Sequence, residues 1–155
     1  VLVRAAVLAL VLAACSGIAV QQQARVAHEA ARAFNTVLLP SLEQGFELEQ
    51  RQALDRDCPE HCSTETASAA VAPVRASWDP IWIQVEGVRR DHDTWRVELE
   101  VCRGSDAGEC MPRLDALARR LMGRLTELRC TLRASGRARL DTLPGVPACE
   151  VRDGG

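Results

Sequence analysis

The chain has 155 residues, a formal charge of −2, and 47% hydrophobic against 26% charged residues; all 19 basic residues are arginine. That balance excludes a dedicated nucleic-acid binder, which would carry a strongly basic face. Length and apolar fraction are those of one compact globular domain with one core.

The N-terminus comes first in chain order. Arg4 precedes an apolar run from Ala5 to Leu12, and small residues with Cys15 follow. This is the layout of a secretory signal: basic region, apolar core, cleavage site. The core is shorter than the roughly 20 apolar residues of a membrane-spanning helix. Leu12-Ala13-Ala14-Cys15 resembles the lipobox of bacterial lipoproteins. The resemblance implies a signal peptide at 1–14 that is removed and a Cys15 that carries fatty acyl chains such as palmitate. It also implies an anchor in the cell envelope. Ser16 follows the cysteine where some lipoproteins have Asp, and by the same resemblance this implies the outer membrane, on its periplasmic face. Residues 15–24, with Gln21-Gln22-Gln23, then read as a lipid-anchored tether, and 25–155 as a single helical domain with an irregular C-terminal tail. In style, this short Ala-rich chain also resembles accessory lipoproteins of phages and prophages, which implies lysis or exclusion as an alternative role.

From Arg25 to Asp57 the pattern is helical. Ala27, Ala31, Phe34, Leu38, Leu42 and Phe46 recur at steps of three and four and line one face. Pro40 sits inside this run and predicts a kink or break, because proline removes a hydrogen bond and clashes with the preceding turn. Residues 58–73 read as turn-rich, with Thr64-Glu65-Thr66-Ala67 able to open a short helix.

Residues 74–103 support two readings. Val74, Trp78, Ile81, Val85, Val88, His92, Trp95, Leu99 and Cys102 make a helical stripe, and Asp79-Pro80 resembles a helix start. Yet Ile81, Ile83 and Val85 alternate, as do Trp95, Val97, Leu99 and Val101, which suits a β-hairpin at 80–102. The length of the stripe favours the helix. Residues 112–134 are the clearest element, with Leu114, Leu117, Leu121, Leu125, Leu128 and Leu132 as a seam, Pro112 in the first turn and Gly136 as the stop. The fold expected is mainly α: a three-helix antiparallel arrangement with disulfide-stapled turns. The alternative is α+β with the hairpin.

Cysteine usage agrees with export. Cys58, Cys62, Cys102, Cys110, Cys130 and Cys149 are an even set, which in an exported chain implies disulfides. Sequence gaps suggest local pairs: Cys58–Cys62, Cys102–Cys110 and Cys130–Cys149. Cys130 faces away from the leucine seam at 100° per residue, so a tail folding back over the outer face brings Cys149 to it.

Few constellations point to chemistry. Cys58-Pro59-Glu60-His61-Cys62 is the only dense cluster of ligand types, but no second cysteine pair at matching spacing completes a zinc site. A disulfide beside a surface histidine is the preferred reading, and no metal or cofactor is expected. His92 lies between Asp91 and Asp93, a setting for proton transfer, but Ser77 and Ser105 lie in no nucleophile-elbow context. On the helical reading His92 falls on the buried stripe and packs. Trp78, Trp82 and Trp95 are read as core rather than as a ligand platform.

The last helix carries Arg113, Arg119, Arg120, Arg124, Arg129 and Arg133, with Arg137 and Arg139 beyond. Such a face can bind anionic lipid. The preferred reading pairs it with the acidic first helix, which carries Glu29, Glu43, Glu47, Glu49, Asp55 and Asp57. The function expected is a non-enzymatic, lipid-anchored envelope protein acting as a structural or interaction module. It would meet the membrane through its N-terminal lipid, take an envelope protein as partner, and bind no nucleic acid. The alternative is a small envelope enzyme, or a redox or metal protein, using His92 or the Cys58/Cys62 region.

Overall fold

The computed structural model describes residues 22, 24–58, 60, 62–103, 107–141 and 143–149. The signal, the lipobox with Cys15, and His61 and Ser105 lie outside them. Three long helices account for the domain, and no strand occurs among the described residues. Helix α1 covers residues 24–57, α2 runs Thr64–Cys102 and α3 runs Ala107–Ala134; a short 3₁₀ turn, Ala138–Leu140, opens the tail. Among the described residues, no helix is long and apolar enough to cross a membrane.

The helices are antiparallel, and cross-helix contacts set the direction. His28 and Phe46 of α1 meet Trp95 and Trp78 of α2 respectively, so one number rises as the other falls. Between α2 and α3, Asp91 meets Arg120 and Arg124, Glu98 meets Arg113, and Cys102 meets Cys110. One core joins all three: Phe34, Leu38 and Leu42 from α1, Trp78, Ile81, Val85 and Val88 from α2, and Leu121, Leu125, Leu128 and Leu132 from α3. A smaller cluster of Ala27, Trp95, Leu114 and Ala118 fills the end of the bundle near the α2–α3 turn.

Pro40 does not break α1. A π-helical turn, Phe34–Leu38, precedes it, and the Leu39 N–H bonds the Phe34 carbonyl five residues back. The wider turn gives room where the proline ring would otherwise strike the carbonyl four residues earlier. The helix then continues through Leu39–Asp57.

Helix α2 bears out the helical reading of 74–103 and corrects one other expectation. The alternative hairpin at 80–102 does not form; the whole segment is helical. Nor do residues 64–73 stay in turns. Ser63 caps the helix, its Oγ accepting from the Thr66 N–H at 3.1 Å, with Glu65 in the first turn. Pro73 and Pro80 lie inside the helix and on its exposed face, so the carbonyls they leave unbonded can reach water. Asp79-Pro80 is therefore a solvent-side pair within the helix, not its start.

Helix α3 begins five residues before Pro112 and ends as expected. Gly136 adopts φ +75°; its N–H bonds the Arg133 carbonyl at 3.1 Å and the Arg137 N–H bonds the Leu132 carbonyl at 2.8 Å. This paired stop requires a left-handed residue, which glycine provides without strain.

All three local cysteine pairs are bonded: Cys58–Cys62, Cys102–Cys110 and Cys130–Cys149, with Cα separations of 5.7, 5.5 and 5.2 Å. The first two staple the α1–α2 and α2–α3 turns. The third ties the tail to the outer face of α3, and the tail then adds Leu143 and Val146 to the core.

Candidate functional site

The residues singled out for chemistry are not gathered into one place. His92 sits half-buried near the α1–α2 contact, its ring centroid 6.4 Å from that of Trp95. Burial pushes its pKa down from the ordinary 6.5, Asp93 works against that, and Arg96 and His28 reinforce it. Ser77 lies on the same helix but 15 residues away, about 22 Å along the axis at 1.5 Å per residue. Its hydroxyl donates to the Val74 carbonyl at 2.8 Å and accepts from Arg137 at 3.0 Å.

His92 was expected on the buried stripe, but Asp91 takes the inward position. Steps of three and four connect Val88 to Trp95 equally well through either residue. Arginines on α3 decide between them. Asp91 Oδ1 lies 3.0 Å from Arg120 Nε, and Oδ2 lies 3.4 Å from Arg124 Nε. This acid is spent on fixing α2 against α3 and does not orient His92.

The cysteines are likewise occupied. Donor atoms of Glu98, Cys102 and Cys110 lie within 4.8 Å of one another, a spacing that suits a metal ion. The two sulfurs are bonded to each other, however, and a disulfide supplies no thiolate ligand. Glu98 instead pairs with Arg113 Nε at 3.0 Å. Cys58 and Cys62 are also bonded to each other, so neither is a thiol.

The arginine-rich face is neutralised from within. Arg119 pairs with Asp115, Arg120 and Arg124 with Asp91, and Arg129 and Arg133 with Asp141. Their partners lie on α2, α3 and the tail; the acidic first helix was expected to supply them. Among the described residues, Glu49 is its one contribution, to Arg137. Arg137 Nη2 lies 2.6 Å from Glu49 Oε2, the Trp78 indole N–H donates to the same oxygen at 2.8 Å, and the guanidinium covers the Trp78 ring at 4.5 Å. The group joins α1, α2 and the segment after α3. Nothing in the periodicity marks Glu49 or Arg137; a contact 88 residues apart leaves no local trace.

These groups set an acid dependence. Burial raises the Glu49 carboxyl, but hydrogen bonds from Arg137 and Trp78, with the charges of Arg137 and Arg139, hold it below the ordinary 4.5. A depressed carboxylate contributes stability that is complete above pH 4.5 and fades as pH falls through the lower folded value. His92 acts with the same sign at higher pH: the folded state resists its protonation, so stability declines as pH drops below 6.5. Urea midpoints measured across pH should therefore show two declines. Glu49→Gln should remove the lower one and His92→Leu the upper one. A curve unchanged by both substitutions would place the acid sensitivity elsewhere.

One surface of α2 is left over from packing. Ile83, Val97 and Val101 of α2 are 70%, 64% and 51% exposed, on the side of the helix away from the core. Two open surface depressions lie on this side and share Glu86 and Arg90. Trp82, half-buried, edges one of them and stacks on Trp78 with ring centroids 5.7 Å apart. The tryptophans thus serve the core first, as expected. No protein-family model, curated protein or solved structure matches the chain.

Proposed function

We propose that this protein is a lipid-anchored module of a bacterial envelope whose role is structural or interactive rather than catalytic. The observation that carries the reading is the complete pairing of the six cysteines between residues 58 and 149. Disulfides persist in exported proteins and are rare in the reducing cytosol. Three of them in so small a domain suit an oxidising compartment, and the sequence places a lipobox-like Leu12-Ala13-Ala14-Cys15 ahead of that domain. Acyl chains on Cys15 would hold the helices at a membrane surface; two or more chains are needed for a stable anchor. The exposed apolar residues of α2 supply a face for a partner.

The test is an intact mass of the membrane-extracted protein, with and without reduction. The expected mass lacks residues 1–14, carries an acyl increment on Cys15, and gains two hydrogens for each of the three bridges on reduction. An unacylated mass with free thiols would overturn both the anchor and the compartment.

A further inference from the structure

We propose that the solvent face of α2 pairs with the same face of a second copy, as a short antiparallel two-helix coil. The inference deepens the interaction-module reading by naming its partner. Exposed apolar side chains scattered singly are ordinary on any protein. Here they stand at the two ends of one line along the helix, with polar residues and a glycine between them. Ile83, Gly87, Arg90, Thr94, Val97 and Val101 follow one another at alternating steps of four and three, the spacing of a coiled-coil seam. The seam lies opposite the buried stripe of Trp78, Ile81, Val85, Val88 and Trp95, so α2 presents two packing faces and the domain core uses one.

The seam is complementary to itself when reversed. In an antiparallel coil the two kinds of seam position face each other across a two-fold axis, here midway between Arg90 and Thr94. Ile83 then meets Val101 of the second copy at each end. Val97 meets the Gly87 level of the second copy, where that copy's Arg124 side chain lies over the glycine, 3.6 Å from where a Cβ would stand. Arg90 meets Thr94 of the second copy, and Asp93 of the second copy lies one residue away. Among the described residues neither Arg90 nor Asp93 forms an ion pair within its own chain, and both line the same surface depression. The two-fold axis gives each a partner of opposite charge and sets the register, a use of charge pairs well suited to coiled coils. The seam is about 27 Å long at 1.5 Å per residue, short enough that pairing depends on concentration. Anchoring both copies in one membrane would raise that concentration.

Sedimentation of the detergent-extracted full chain, over a range of protein-to-micelle ratios, tests this. The expected result is a monomer–dimer equilibrium. Arg90→Asp and Asp93→Arg should each weaken association by about tenfold or more, because like charges then face across the axis. The double variant Arg90→Asp/Asp93→Arg should recover it. Far-UV circular dichroism on the same samples checks that these exposed substitutions leave the helices intact. A monomer at every ratio overturns the proposal and leaves the face to a different protein, as does a dimer indifferent to both reversals. The intact mass decides the lipid anchor independently, so either idea can fail without the other.

Discussion

Replacing Arg129 with methionine is expected to destabilise the domain by about 3–5 kcal/mol, the usual cost of stranding one member of a buried ion pair. Arg129 Nε lies 2.7 Å from Asp141 Oδ1, and the side chains are 12% and 4% exposed. The same guanidinium donates to the Leu143 carbonyl at 2.6 Å, to that of Pro147 at 3.1 Å and to that of Val146. No other side chain makes this set of bonds to the irregular tail among the described residues. Without it, Asp141 keeps only Arg133, at 3.4 Å, among the described residues, and three carbonyls lose their donor. The Cys130–Cys149 bridge holds the end of the tail, but Leu143 and Val146 can then lift from the core. Urea denaturation of Arg129→Met, Asp141→Asn and the apolar pair Arg129→Met/Asp141→Leu tests the argument. The pair should cost less than the two single changes together, because no charge is left buried without a partner. A single variant within about 0.5 kcal/mol of the native protein would show that the tail docks by other means.

How much of this was legible in the sequence depends on which forces are local. The leucine seam from Leu114 to Leu132, the stop at Gly136 and the three short-range disulfides all express spacing along one element, and the structure has them as expected except at Leu117, which is half-buried while Ala118 takes the inward position. The bounds of α2 were read less well. Pro73 and Pro80 are strong breakers in isolation, yet a helix of 39 residues with a continuous buried face outweighs them when both rings face solvent. The choice between helix and hairpin at 80–102 went to the helix because the three-four stripe runs past the alternating stretches on both sides. The polar groups were least legible. Glu49, Asp91, Arg129 and Arg137 are four of many charged residues, and only the packing of distant segments turns them into bridges. The three-four spacing put His92 on the buried stripe, although Asp91 fits the same steps. Two arginines of α3 decide for Asp91.

The other large effect is expected at Trp78. Its indole is fully buried, with Phe46 and Trp82 at centroid distances of 5.4 and 5.7 Å, and it donates to Glu49 while lying under Arg137. Trp78→Ala removes the largest side chain of the core together with one hydrogen bond to a charged acceptor. A cost at the upper end of about 3–5 kcal/mol follows for buried aromatic truncation, a large part of the 5–15 kcal/mol that holds a typical domain folded. Trp78→Phe keeps a ring but loses the N–H, and should cost less. Gly45 reports which part of the indole matters. A Cβ added there would sit 3.4 Å from Trp78 Cη2 and 3.3 Å from Leu140 Cδ1. Alanine favours a helix interior over glycine by about 1 kcal/mol, but against the native indole that gain is set against crowding. Phenylalanine lacks the second ring, so Gly45→Ala should stabilise the Trp78→Phe background by more than it stabilises the native protein. Equal effects in both backgrounds would show that the indole edge does not constrain Gly45. Glycine at that position would then be no consequence of the tryptophan packed against it.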